Sequence, residues 1–156
     1  MKFLRSIDNI SYSLASSQAR IFEYSVSLGI PSKLFIRSYM LSEEIRLIDD
    51  LKINVSGLSE NELFTTISEK IKTRKGQLYS LQVMHFIGYF YRMAAYLTGY
   101  SSIQLYKSIK PELLNRNYRI LHSLSIEESI KEVFEIANVE IEDKYSLFKK
   151  IYKIDV

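Results

Sequence analysis

Residues 77–98 read QLYSLQVMHFIGYFYRMAAYLT, and this stretch decides the fold. Leu78, Leu81, Val83, Met84, Phe86, Ile87, Phe90, Met93, Ala94, Ala95 and Leu97 put apolar side chains around almost the whole circumference of a helix. Gly76 precedes it, and Thr98-Gly99 closes it as a glycine stop. A helix that is apolar all round needs either a bilayer or other helices around it. Val83 to Leu97 falls short of the roughly 20 residues a bilayer crossing requires, and it contains His85 and Arg92. The pattern therefore predicts the central helix, about 77–98, of an all-α bundle.

Towards the N-terminus the helical spacing continues. Ser16 or Ser17 is positioned to cap a helix ending near Leu28, with Ala19, Phe22 and Val26 as its stripe and Gly29 as its stop. Pro31-Ser32 opens a second helix carrying Leu34, Ser38, Leu41, Ile45 and Ile48, antiparallel to the first through the short connection. Asn54-Val55-Ser56-Gly57 is the clearest internal break. Ser59 with Glu62 then forms a capping box for a helix to about Thr73, whose thin stripe of Leu63, Ile67 and Ile71 marks it as peripheral.

Towards the C-terminus, Ser101 starts a short helix to about Ile109, and Pro111 suits the first position of another ending near Arg119. Ser125 and Glu128 make a second capping box ahead of Ile126, Ile130, Val133, Phe134 and Ala137. A last helix from about Asp143 carries Leu147, Phe148, Ile151 and Ile154. The expectation is one all-α domain over 1–156 with six to eight helices. It includes a peripheral segment, 52–76, and an appended C-terminal helix, 143–154.

The composition fits a folded globular chain: 156 residues, 47% hydrophobic and 25% charged, enough for one core without staples. The absence of cysteine excludes disulfides, thiolate metal sites and a cysteine nucleophile, and suits a reducing cytoplasm. Lys2 and Arg5 begin like an export signal, but Asp8 and Asn9 interrupt the apolar run that should follow. Net charge is only +3, yet the signs segregate. Lys70, Lys72, Arg74 and Lys75 form a basic junction at 70–75, and 127–143 is an almost unrelieved acidic stretch.

Catalysis has few candidates. The two histidines, His85 and His122, fall on different elements, and there is no Gly-x-Ser-x-Gly elbow, phosphate loop or helical metal pair. No cofactor and no metal site is expected, and the chain reads as non-enzymatic. A deep polar pocket holding His85 or His122 beside a carboxylate would reverse that reading. His85 and Arg92, two helical turns apart, share a face and serve either as a polar patch or as satisfied interior groups.

Twelve tyrosines are the strongest compositional signal, with Tyr89, Tyr96 and Tyr100 gathered near the end of the central helix. Either they form an interface or they pack in the core. A DNA-binding alternative uses a helix-turn-helix at about 90–109. There Ala95 and Gly99 shape the corner, and Ser101, Ser102, Gln104 and Lys107 face the groove.

Ser17-Gln18-Ala19-Arg20-Ile21-Phe22-Glu23-Tyr24-Ser25 with Gly29, and later Ile87-Gly88-Tyr89-Phe90-Tyr91-Arg92, Leu97-Thr98-Gly99 and Leu105-Tyr106-Lys107, carry a resemblance. So do Pro111, Asn117-Tyr118 and His122-Ser123-Leu124. They resemble a group of small bacterial helical proteins that look like antitoxin components of toxin–antitoxin operons, found beside ADP-ribosyltransferase-like toxins. The likeness covers about two-thirds of the chain. Phe86 and Met93-Ala94-Ala95 stand where the family pattern has tryptophans, 52–80 diverges, and 140–156 is an extra tail. The resemblance implies a protein partner, a toxin encoded nearby, neutralised by direct binding. Tyr89, Arg92, Tyr96, Tyr100 and His122 are the partner-binding anchors this reading nominates.

Overall fold

The structure, a computed structural model, describes residues 2–50 and 59–140. They form nine helices and, among the described residues, no strand: α1 (Asn9–Ser27), α2 (Ser32–Met40), α3 (Glu43–Asp49), α4 (Glu60–Ser68), α5 (Leu81–Thr98), α6 (Ser102–Ser108), α7 (Pro111–Arg116), α8 (Tyr118–Leu121) and α9 (Ile126–Ile136). The expected break at Asn54–Gly57 and the helix at 143–154 lie outside the described residues.

α5 is the central helix. It begins at Leu81 rather than Gln77, because the Ser80 hydroxyl accepts from the Val83 amide and caps it there. Residues 77–80 instead lie along the start of α2, where Ser32 N–H donates to Gln77 O and Tyr79 N–H donates to Ser32 Oγ. Leu78 and Leu81 are consequently exposed, at 47% and 41%. From Phe90 to Thr98 every residue is buried, as the apolar circumference requires. Gly99, at φ +81°, ends α5 in the left-handed region, and its N–H bonds to Ala95 O.

The dominant packing is α1 against α5. At their crossing Gly88 faces α1 so closely that a Cβ there would sit 2.8 Å from Gln18 O, 2.9 Å from Phe22 Cγ and 3.0 Å from Ala19 Cα. Ala15 and Ala19 are fully buried on α1, which keeps that helix thin where the backbones approach. Phe22 then sets its ring edge-on against Phe35 and Tyr39 of α2, tying the second helix to the crossing.

Other boundaries also differ from the sequence expectation, among them the helix expected from Pro111 to about Arg119, which is broken into α7 and α8 at Asn117. α1 starts two turns early because Asp8, not Ser16 or Ser17, is its cap. Asp8 Oδ1 accepts from Ser11 N–H, and Ser11 Oγ accepts from Asp8 N–H, each at 2.9 Å. The expected second helix is two, since the Ser42 hydroxyl caps α3 and turns the chain. That turn moves the buried face of α2 to Phe35, Ile36, Tyr39 and Met40 and leaves Leu41 exposed. α4 ends at Ser68, and its Leu63, Phe64 and Ile67 are buried against α1 and α2. No helix among the described residues is long and apolar enough to cross a membrane.

Candidate functional site

Each nominated side chain has a definite place, and the five do not converge. Arg92 is 2% exposed and wholly engaged inside the bundle. Its Nε donates to Gln18 Oε1 at 3.0 Å, Nη1 to Asp49 Oδ1 at 2.7 Å and Nη2 to Ser102 Oγ at 3.1 Å. Around it Tyr39 OH donates to the same Gln18 oxygen, and Gln18 Nε2 donates to Gly88 O. Ser102 N–H and Oγ donate to the two oxygens of Asp49. A buried charge with every partner in place stitches α1, α3, α5 and α6 together. As a surface anchor Arg92 is therefore corrected. The face it shares with His85 is covered at Arg92 by Gln18, Asp49 and Ser102, whereas at His85 it opens beside Glu23.

Ser102 is corrected for the same reason: 1% exposed and bonded to Asp49, it is turned away from solvent. Ser101 and Gln104 are joined to each other in the capping box of α6, and Lys107 is exposed. Tyr96 is 7% exposed, with its hydroxyl donating to Asp8 Oδ2 at 2.7 Å and Arg5 lying over its ring at 5.3 Å. It fastens the chain ahead of α1 to the end of α5. Tyr100 packs against Phe134 of α9, and its hydroxyl donates to Glu140 O.

Tyr89 and His122 are the two nominated residues that meet. They share an open cleft between α1, α5 and the end of α8, with a volume of about 410 Å³. Gln82, His85, Phe86 and Tyr89 line it from successive turns of one face of α5. Glu23 of α1 stands on one side, Tyr118 and His122 on the other. A second hollow of similar size shares Phe86, Tyr89 and His122, and extends past Tyr12 to Glu127 at the start of α9.

The aromatic walls support one another. Tyr118 and His122 stack with centroids 4.4 Å apart and planes 13° from parallel, and Phe86 meets Tyr118 edge-on at 5.6 Å. His122 Nδ1 donates to Tyr118 O at 2.8 Å, so this ring carries its proton on Nδ1. His85 Nδ1 lies 3.0 Å from Glu23 Oε2. Both imidazoles thus spend Nδ1 on the protein, and neither Nε2 has a partner among the described residues. Burial pushes the Tyr89 phenol up, with the neighbouring Tyr12 adding to the effect.

Sequence reasoning missed Glu23, Gln82, Phe86 and Tyr118 as members of this site. Gln82, Phe86 and Tyr89 follow from the three- and four-residue spacing along α5, but Glu23 and Tyr118 come from helices whose docking no local pattern encodes. Among the described residues no group of three or more His, Asp or Glu is placed to hold a metal ion. The molecule is thus an all-α bundle with an open, aromatic, histidine-bearing cleft. Comparison with protein-family models, with curated proteins and with solved structures finds no match.

Proposed function

We propose that this chain is a non-enzymatic binding protein that neutralises a toxin-like partner encoded nearby, engaging it through the cleft that holds Tyr89 and His122. The observation that carries the reading is that cleft: three aromatic rings and two histidines gathered at one place on the bundle surface, with Phe86, Tyr118 and His122 packed against one another. Half-buried aromatic groups held in place by their neighbours are the kind of feature that anchors protein interfaces. The family resemblance supplies the class of partner. Occlusion of the partner's active site would need no catalytic group on this chain, only a preorganised surface.

The same cleft supports a second reading, acid–base catalysis with His85 oriented by Glu23. We prefer binding because the pocket a catalyst needs is deep and polar, whereas this one is open and largely aromatic. His85 and Glu23 have side chains 50% and 41% exposed.

The test is co-expression with the products of the neighbouring genes. A co-purifying partner and rescued growth are expected, both weakened by Tyr89→Ala and His122→Ala. Failure to bring down or protect against any neighbouring product would sink the proposal.

A further inference from the structure

We infer that the cleft receives an arginine side chain of the partner, its guanidinium lying against the aromatic wall and bonding to the acceptors around it. The inference rests on the binding reading above and specifies what the partner presents.

Charge comes first. The chain has more basic than acidic residues, 21 against 18, yet no lysine or arginine lines either hollow. The carboxylates that do are Glu23 at one end and Glu127 at the other. Glu127 opens onto the outer face of α9, where Glu128, Glu132 and Glu135 are exposed with Lys131 between them. A cationic group is therefore the complementary ligand.

Hydrogen bonding narrows the choice. Both histidines direct Nδ1–H at protein oxygens, so in the uncharged ring Nε2 is the remaining polar atom and an acceptor. Glu23 uses Oε2 for His85, and its Oε1 has no partner among the described residues. The polar atoms left facing the cleft from Glu23 and the uncharged imidazoles are thus acceptors, while the Gln82 amide and the Tyr89 and Tyr118 hydroxyls can turn to accept as well as donate. A guanidinium, with five N–H donors and no acceptor, matches such a set better than a single ammonium.

The walls agree. Tyr89, Phe86 and the stacked Tyr118–His122 pair offer ring faces and edges for a flat cation. The cation–π pairs seen elsewhere join Arg5 to Tyr96, Lys110 to Tyr106 and Lys131 to Phe3, so none of them occupies the rings of the cleft.

The experiment titrates the full chain by NMR with N-acetyl-arginine amide, with the uncharged isostere N-acetyl-citrulline amide, and with N-acetyl-lysine amide. Saturable shifts are expected at His85, His122 and Tyr89, with the arginine probe binding at least about fivefold more tightly than citrulline and more tightly than lysine. Glu23→Gln and Glu127→Gln, both surface changes, should each weaken arginine binding at least about threefold and weaken citrulline binding by less, because only the arginine probe loses a charge partner. Equal binding of citrulline, shifts away from the cleft, or indifference to both substitutions would overturn the inference. If a partner protein binds through Tyr89 while the arginine probe does not, this inference falls and the binding function stands. If the probe binds and no neighbouring product does, the cleft chemistry stands and the toxin-neutralising function falls.

Discussion

Arg92 donates from Nε to Gln18 Oε1 at 3.0 Å, joining two residues 74 positions apart at the crossing of α5 and α1. Tyr39 shares that oxygen, and Asp49 and Ser102 take the rest of the guanidinium, so one buried cation holds four helices in register. Removing it leaves Asp49 buried without its counter-charge. Arg92→Met should cost about 3–5 kcal/mol in denaturant unfolding. Asp49→Leu added to it should recover a substantial part, because the uncompensated charge is then gone. Near-wild-type stability of the single variant would refute the network's role, and any binding loss in Arg92 variants should track unfolding.

Gly88 tests the helix crossing. Alanine is the better helix former by about 1 kcal/mol, so propensity alone predicts that Gly88→Ala stabilises the chain. The approach of Gln18 O, Ala19 Cα and Phe22 Cγ predicts the reverse, since two of those three atoms belong to backbone. Overpacking should win by about 1–3 kcal/mol, seen as a lower unfolding midpoint.

The alkaline limb of stability belongs to the buried tyrosines. Burial raises the Tyr39 phenol above the ordinary 10.0, and it pushes Tyr91 well above the same value. A group with a raised folded pKa contributes stability that is complete below its unfolded value and declines as pH rises towards the folded one. Above pH 10 the unfolded chain releases these protons while the folded chain keeps them. Stability should then fall by about 1.4 kcal/mol per pH unit for each phenol. Unfolding midpoints between pH 9 and 11.5 measure the slope, and Tyr91→Phe should lessen it.

At the acid end Asp8 is one of the carboxylates that contribute, with Glu60 and Glu112. The Tyr96 hydroxyl, and after it the Ser11 amide, hold the Asp8 carboxyl below the ordinary 3.8. Its contribution is present above that value and is lost as pH falls through the lower folded pKa. Asp8→Ala should therefore destabilise the protein at pH 7, where both the cap of α1 and the bond to Tyr96 disappear. The difference between the two chains should shrink as pH falls below 3.8 and through the lowered folded value. A difference that stayed undiminished as the pH was lowered would exclude the carboxylate as its source.

Tyr89→Ala and His122→Ala separate binding from folding. His122 is exposed and Tyr89 half-buried at the cleft, so each should change stability by no more than about 1 kcal/mol. If the cleft is the docking surface, affinity for the partner should drop at least about tenfold, as for interface anchors. Circular dichroism melts and pull-downs on the same preparations give both readings.

Sequence by itself determined the local grammar of this protein. The all-round apolar run made α5 central, Ser59 and Ser125 marked helix starts, Pro111 opened α7, and Gly99 ended α5; each acts through its own dihedrals or a bond three or four residues away. Asp8 with Ser11 was equally local but lay ahead of the expected start. Ser42 was legible as a cap only once the chain was seen to turn there, because the stripe through Leu41 looked continuous. Tertiary structure alone decided which polar residues face water. His85 and Arg92 lie on one face of one helix, yet one is exposed beside Glu23 and the other is sealed by Gln18, Asp49 and Ser102. Helical periodicity specifies direction around an axis, not how far along that axis neighbouring helices extend. It is that extent which buries Arg92 as a keystone and leaves Tyr89 and His122 at an open cleft.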